Sequence, residues 1–259
     1  MNEKEPDNSD TTLNRRLGIS TGFAEIDKAT GGFVPGELIV LASLPGKGKS
    51  ALAISMLGHI ALKGKTVAGF ISLKMNAETL KKRFIAQEAK MPVDTLSEPF
   101  LPVSDIPGLK KAEEEITKAP IFLIDKRSMS ITEIHSEMLR MVRENEVKIV
   151  FIDIISSVKG IKFFESWPEQ ASEITFYIKR MSVEFDIPIV ALVQMNINGD
   201  PFKNVYLMIS ADVFMVLTRR IDGDTSEAAL SIAKRWQPLG TFKLRFLKEF
   251  LMFETRSEI

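Results

Sequence analysis

The run Ser43-Leu44-Pro45-Gly46-Lys47-Gly48-Lys49-Ser50 joins two glycines, a lysine and a hydroxyl at the spacing that cradles a polyphosphate. In such a loop, successive backbone N–H groups and the positive end of a following helix converge on the β-phosphate. Glycine lets the backbone approach without a Cβ. Lys49 would reach the β- and γ-phosphates, Ser50 would hold Mg²⁺ through its hydroxyl, and a nucleotide is the ligand expected. The strict pattern has glycine where this chain has Ser43. A bare Gly-Lys-Ser tripeptide is equally at home in a surface turn, so the flanking elements must decide between the two readings.

Before the loop, Glu37 to Ser43 is continuously apolar between its two ends, as a strand buried on both faces should be. After it, Ser50 to Lys63 reads as one core helix, apolar nearly all round through Leu52, Ile54, Met56, Leu57 and Ile60 and closed by Gly64. This context selects nucleotide binding over the surface turn. With no ligand bound, Lys49 is expected to point into solvent. Downstream, Lys148 to Ile155 forms a buried strand with one acid, Asp153, expected at the carboxyl edge where the phosphate loop lies. A lone carboxylate in an apolar strand needs something to offset its desolvation, and water-bridged Mg²⁺ would do so; an ordinary acid at a strand end is the plainer alternative. Gln194 ends the strand Ile187–Gln194 in the same way, either to orient a water or sense the γ-phosphate, or as a plain polar terminus.

These elements fit a larger alternation of short β-branched runs with segments of helical period, which predicts an α/β fold with a mainly parallel sheet. Thr66–Leu73 and Ile121–Ile124 read as further strands, and Asn76–Lys90 as a helix. Ser130-Ile131-Thr132-Glu133 is a capping box opening an amphipathic helix with Ile131, Ile134, Met138 and Met141 on one face; Ala171, Ile174, Ile178, Met181 and Phe185 stripe another. Four last strands, Ala211–Thr218, Ala228–Lys234, Phe242–Leu247 and Glu249–Phe253, follow one another like hairpins, so the C-terminal part of the sheet should turn antiparallel.

Composition narrows the function. In 259 residues, Lys+Arg and Asp+Glu both total 34, so no global basic field exists and any DNA contact must be local. The absence of cysteine excludes thiolate zinc sites, disulfide scaffolds and cysteine nucleophiles, and points to the cytoplasm. His59 and His135 lack a second ligand at helical spacing. No apolar run approaches bilayer length, and the acidic N-terminus is not a secretion signal. Residues 1–18 read as a disordered polar tail, with packed structure opening near Thr21.

The opening segments Thr21-Gly22-Phe23-Ala24-Glu25-Ile26-Asp27 and Gly31-Gly32-Phe33-Val34-Pro35-Gly36-Glu37-Leu38 resemble the RecA-like motor domain of DnaB-type replicative DNA helicases. The resemblance runs from about Gly18 to Glu254. It takes in Phe70-Ile71-Ser72-Leu73 with Met75, the capping-box helix, the Asp153 strand, Val193-Gln194-Met195-Asn196, Ala211-Asp212-Val213, and Arg235 with Pro238-Leu239-Gly240-Thr241 before Lys243-Leu244. It implies one RecA-like ATPase domain over 19–259, acceptance of a small residue at the Ser43 position, and a hexameric ring with ATP between subunits. In that ring Arg235 is the finger offered to a neighbour's γ-phosphate, and Arg83 is a second arginine near the nucleotide or, alternatively, a solvated helix residue.

Three departures qualify that implication. Lys74 stands where the family carries its catalytic glutamate, and an ammonium already protonated at neutral pH cannot accept a proton from the attacking water; it can only clamp phosphate. The stretch Asn198–Ser210 lacks the family's DNA-touching pattern, leaving Lys203 and Asn204, with Lys159 and Lys162, as phosphate donors to single-stranded DNA or as ordinary surface residues. The family's N-terminal domain and linker helix have no counterpart in about 20 polar residues, so a hexamer does not follow from the resemblance alone. Two readings stand: a helicase motor with weak hydrolysis, and a degenerate ATP-binding subunit that docks on a helicase or another replication protein. A recombination ATPase of the RecA/RadA type fits less of the later sequence.

Overall fold

A computed structural model describes residues 18–97, 100–160, 167–195, 210–220 and 226–256. The backbone is already engaged at Gly18 and Ile19, whose N–H groups donate to the carbonyls of Gly31 and Phe33, slightly ahead of the Thr21 start expected. A short helix α1 (Ala24–Thr30) leads to β1 (Leu38–Ser43), α2 (Lys49–Gly58) and β2 (Ala68–Ser72). Next come α3 (Ala77–Ala89), α4 (Ile106–Lys118), β3 (Ile121–Asp125), β4 (Met129–Ser130) and α5 (Ile131–Asn145). Then follow β5 (Ile149–Asp153), β6 (Val158–Lys159), α6 (Trp167–Glu184), β7 (Ile189–Gln194), β8 (Val213–Arg219), β9 (Glu227–Lys234), β10 (Gln237–Leu247) and β11 (Met252–Thr255).

Among the described residues, nine strands make one sheet in the order β11-β10-β9-β8-β1-β7-β5-β2-β3. From β8 to β3 the pairings are parallel, and β8-β9-β10-β11 are antiparallel, as the hairpin-like C-terminal sequence requires. Strands β1 and β5 are buried end to end because helices cover both faces. Along β1 the side chains alternate: Ile39 and Leu41 join the layer under α2, with Phe70, Phe151 and Leu192, while Leu38, Val40 and Ala42 join the layer under α5 and α6, with Ile152, Ile174 and Val193. Truncating a fully buried ring such as Phe151 to alanine would cost about 3–5 kcal/mol, enough to unfold a marginal domain.

Local sequence accounts for the helix ends. Asn76 caps α3 by accepting from the N–H of Thr79, and Ser130 and Glu133 form the reciprocal box at the start of α5. The expected helix Ser50–Lys63 differs at its end: α2 gives way to a π-helical turn over His59–Lys63. There the Gly64 N–H reaches back five residues to the His59 carbonyl, widening the last turn. Helices α1 and α4 are additional to the expected elements; along α4, Ile106, Leu109, Ala112 and Ile116 recur at helical spacing, with Ala112 buried and Ile116 packed on the core.

Candidate phosphate-binding site

The carboxyl ends of the parallel strands gather the polar residues singled out above. Register places Ser43 opposite Gln194, and Ser72 opposite both Asp153 and Asp125. Since Ile152 pairs with Ala191, Gln194 reaches two residues further out than Asp153, and it is exposed. The loop from Leu44 to Gly48 leaves β1 at this edge and enters α2. Gly46 and Gly48 both have positive φ, at 74° and 105°. A Cβ on Gly46 would meet nothing, whereas one on Gly48 would lie 2.9 Å from the Phe253 ring, so only glycine fits between the loop and the β10–β11 layer beneath it.

Lys49 is not in solvent. It is 7% exposed and folds back under the loop, its Nζ donating to the Ser43 hydroxyl at 3.1 Å and to the Ser43 carbonyl at 3.3 Å. The expectation of a solvent-facing lysine fails because the Ser43 oxygens offer an internal acceptor that a glycine would supply only in part. Burial pushes the Lys49 pKa down to about 8; Asp153 opposes that fall and Lys74 adds to it.

Asp153 is the other buried charge. It is fully inaccessible, and neither carboxylate oxygen has a partner at hydrogen-bonding geometry. Desolvation raises its pKa, countered by the neighbouring Ser50 hydroxyl and by the charges of Lys74, Lys49 and Arg83. The structure therefore brings Ser50, Lys49, Lys74 and Arg83 around one carboxylate. Arg83, on α3, is itself partly desolvated there, which lowers its pKa. Buried unsatisfied carboxylate oxygens beside a hydroxyl match the donor set of a hard divalent cation reached through water.

Lys74 is held in a tight loop: the Ser72 hydroxyl donates to the Met75 carbonyl at 2.6 Å and accepts from the Met75 N–H at 3.1 Å, while Asp125 accepts from the Ala77 N–H at 2.8 Å. Lys74 is exposed over this loop, at the rim of a cleft of about 480 Å³ shared with Lys126 and Arg127. Across the loop from it, a cavity of about 550 Å³ is bounded by Leu44, Lys47, Met195, Leu217 and Arg219.

A scan against protein families matches the model described as DnaB-like helicase C terminal domain over residues 18–204. The chain belongs to that family. Among curated proteins it is 32% identical to the replicative DNA helicase DnaB of Treponema pallidum and 28% identical to that of Geobacillus stearothermophilus, covering 93% and 91% of this chain. It spans 57% and 56% of the length of those relatives. A solved structure described as an ATPase domain superposes with a TM-score of 0.86 at 25% identity, covering 95% of this chain and 94% of that one. A KaiC-like protein from Pyrococcus horikoshii shares the fold at a TM-score of 0.64. The architecture is thus the RecA-like one of DnaB-like ATPase domains, with the antiparallel C-terminal strands included.

Against the DnaB-like pattern, the position of Arg235 is informative. It sits on the turn between β9 and β10, where Lys234 pairs with Val213 and Val213 with Ile39, at the amino edge of the sheet. Four residues of β1 separate that level from Ser43, about 13 Å at strand rise, so Arg235 lies at the end opposite the chain's own Leu44–Gly48 loop. Lys159 is exposed on β6 beside Ser130. Lys162, Lys203 and Asn204, and most of the tail over 1–18, lie outside the described residues.

Arg219, at the end of β8, escaped the sequence reading. Its guanidinium donates to the carbonyls of Gly46 at 2.9 Å and Lys47 at 3.3 Å and lies 4.3 Å from the Phe246 ring centroid, bracing the loop from behind. No local motif announces it, because the loop and β8 are distant in sequence and adjacent only in the sheet.

Proposed function

We propose that this chain is the motor domain of a DnaB-like DNA helicase that binds ATP with Mg²⁺ at Pro45–Ser50 and works on DNA in replication in the cytoplasm, with slow hydrolysis of its own. The observation that carries this reading is Asp153: a buried carboxylate without a hydrogen-bond partner, set beside Ser50 and faced by Lys49, Lys74 and Arg83. In this reading the backbone N–H groups of Gly46, Lys47 and Gly48 receive the β-phosphate and Lys49 leaves Ser43 to bridge the β- and γ-phosphates. Ser50 and Asp153 are the residues that would hold Mg²⁺, Asp153 by way of water. When bound, the metal neutralises phosphate charge and polarises the transferred group. Gln194 orients water at the γ-phosphate, Arg83 adds positive charge beside Asp153, and Arg235 of a second copy completes the site. The cavity bounded by Arg219 and Leu217 takes the nucleoside, since it opens beside Lys47.

Single-stranded DNA would be met by Lys159 and by Lys162, Lys203 and Asn204. The replicative DnaB relatives, and a fold neighbour described with its interactions with primase, support a place at a replication fork. One observation favours the second reading, an ATP-binding subunit that docks on a helicase: Lys74 puts an ammonium where a general base is needed. Loss of a positioned base typically removes about 10² to 10⁴ in rate. Steady-state phosphate release by wild type and Lys74→Glu, with and without single-stranded DNA, separates the two. DNA-stimulated turnover in the wild type supports the motor; tight ATP binding without turnover, restored by Lys74→Glu, supports the regulatory subunit. Turnover by the wild type that Lys74→Glu slows would overturn the role given to Lys74.

A further inference from the structure

The turn that carries Arg235 has a second uncommon feature. Arg235 and Trp236 both adopt left-handed backbone, at φ 48° and 70°, and the Trp236 indole is 54% exposed at the tip. Asparagine or glycine would form this two-residue turn with less strain, so a bulky aromatic there is held against local preference. The base of the hairpin is braced: the Lys234 ammonium donates to the Thr30 carbonyl at 2.7 Å and pairs with Glu37 at 3.1 Å, and the Arg235 N–H donates to the Asp212 carbonyl at 2.9 Å. Strain, bracing and exposure together describe an aromatic presented rigidly outward, which lowers the entropy lost on docking.

We propose that Trp236 is an interface anchor that inserts into the cleft beside Lys74 on a second copy of this chain, next to the site its own Arg235 completes. The cleft, about 480 Å³, offers Leu73 and Met75 as apolar surface and Lys74, Lys126 and Arg127 as cations, the chemistry that holds an indole by its face. The loop lining it is pinned by Ser72 and Asp125, so the receiving surface is preformed. Tip and cleft sit at opposite edges of one sheet and cannot meet within one chain, while a head-to-tail pairing brings them together and leaves each pair with a further tip and cleft to extend it. The cavity on the other side of the phosphate loop is assigned to the nucleoside, which leaves this cleft for the protein contact. The proposal rests on the nucleotide reading only in that Arg235 and Trp236 share one approach. Nucleotide also sets its electrostatics: an empty site presents Lys49, Lys74 and Arg83 against Asp153 and repels Arg235, and bound phosphates reverse that.

The test uses the full chain in a Trp167→Phe background, which leaves Trp236 as the sole indole. Sedimentation velocity and Trp236 emission are followed over protein concentration, with and without Mg²⁺ and a non-hydrolysable ATP analogue. Binding of a fluorescent ATP analogue is measured separately at concentrations where the protein is monomeric. Expected are an oligomer favoured by nucleotide, a blue shift and reduced acrylamide quenching of Trp236 on assembly, and a rise of at least about tenfold in the assembly concentration for Trp236→Asn. Trp236→Asn should hold or raise its melting temperature and keep its monomer nucleotide affinity, since asparagine relieves the left-handed strain. Arg127→Ala should weaken assembly alone and add little on top of Trp236→Asn. A wild type that stays monomeric, an indole that stays quenchable in the oligomer, or unchanged assembly in Trp236→Asn would each overturn the proposal. Failure to bind nucleotide would sink the functional reading instead, and the nucleotide-free arm would still decide the Trp236 contact.

Discussion

Raising the pH from 7 to 9 is expected to weaken ATP binding about tenfold through Lys49 alone, because its buried ammonium titrates in that range. With a pKa of about 8 in the free protein, the side chain is roughly 90% charged at pH 7 and roughly 10% charged at pH 9. Contact with phosphate oxygens replaces the solvation that burial removed and returns the pKa to the ordinary lysine range or above, so the complex keeps the ammonium charged at both values. The sign follows: the complex binds more protons than the free protein above pH 8, so affinity falls as pH rises. The free-energy loss is about 1.4 kcal/mol by pH 9. With Mg²⁺ present the nucleotide is fully ionised throughout, so the proton belongs to the protein. Calorimetric titration in two buffers of different ionisation enthalpy counts it: about 0.9 proton taken up per nucleotide at pH 9 and about 0.1 at pH 7. Equal uptake at the two values, or flat affinity, would refute the argument and mean that Lys49 either keeps its charge in the free loop or does not meet the phosphates.

Three further expectations concern the same edge of the sheet. Asp153→Asn should stabilise the ligand-free protein increasingly as pH rises, since a carboxylate with a raised pKa costs the folded state more once it ionises. It should also remove the Mg²⁺-dependent part of the thermal shift given by ATP, both read in one melting series. Gly48→Ala should lower stability by about 1–3 kcal/mol in chemical denaturation, from left-handed strain plus a 2.9 Å contact with Phe253, and Phe253→Leu should recover part of it. Arg219→Ala should leave the Gly46 and Lys47 carbonyls without that donor and increase hydrogen exchange of the phosphate loop, with nucleotide affinity down about tenfold by fluorescence titration; unchanged exchange would mean that α2 holds the loop unaided.

Features that depend on neighbours along the chain were legible before any strand was paired. The Leu44–Gly48 turn between β1 and α2 was one, because its glycines and the helix start that follows act through local backbone geometry. The α5 box Ser130–Glu133 was another, because both partners lie within one turn. The buried runs around Val40 and Phe151 announced a parallel sheet because two covered faces leave no polar alternation, and Asp153 stood out as the single charge in such a run. Where that charge sits relative to others waited on the packed fold: Lys49, Lys74 and Arg83 come from three elements, and only the order β1-β7-β5-β2 converges them on Asp153. The fold also overturned the solvent-facing Lys49, since burial of a side chain depends on which atoms close over it, here those of Ser43. Arg219 was invisible for the same reason, as were the strain and placement of the tip at Trp236, although the resemblance had already pointed to Arg235: one acts on a loop far away in sequence, and the other lies at an edge of the sheet that is defined only when distant strands pair.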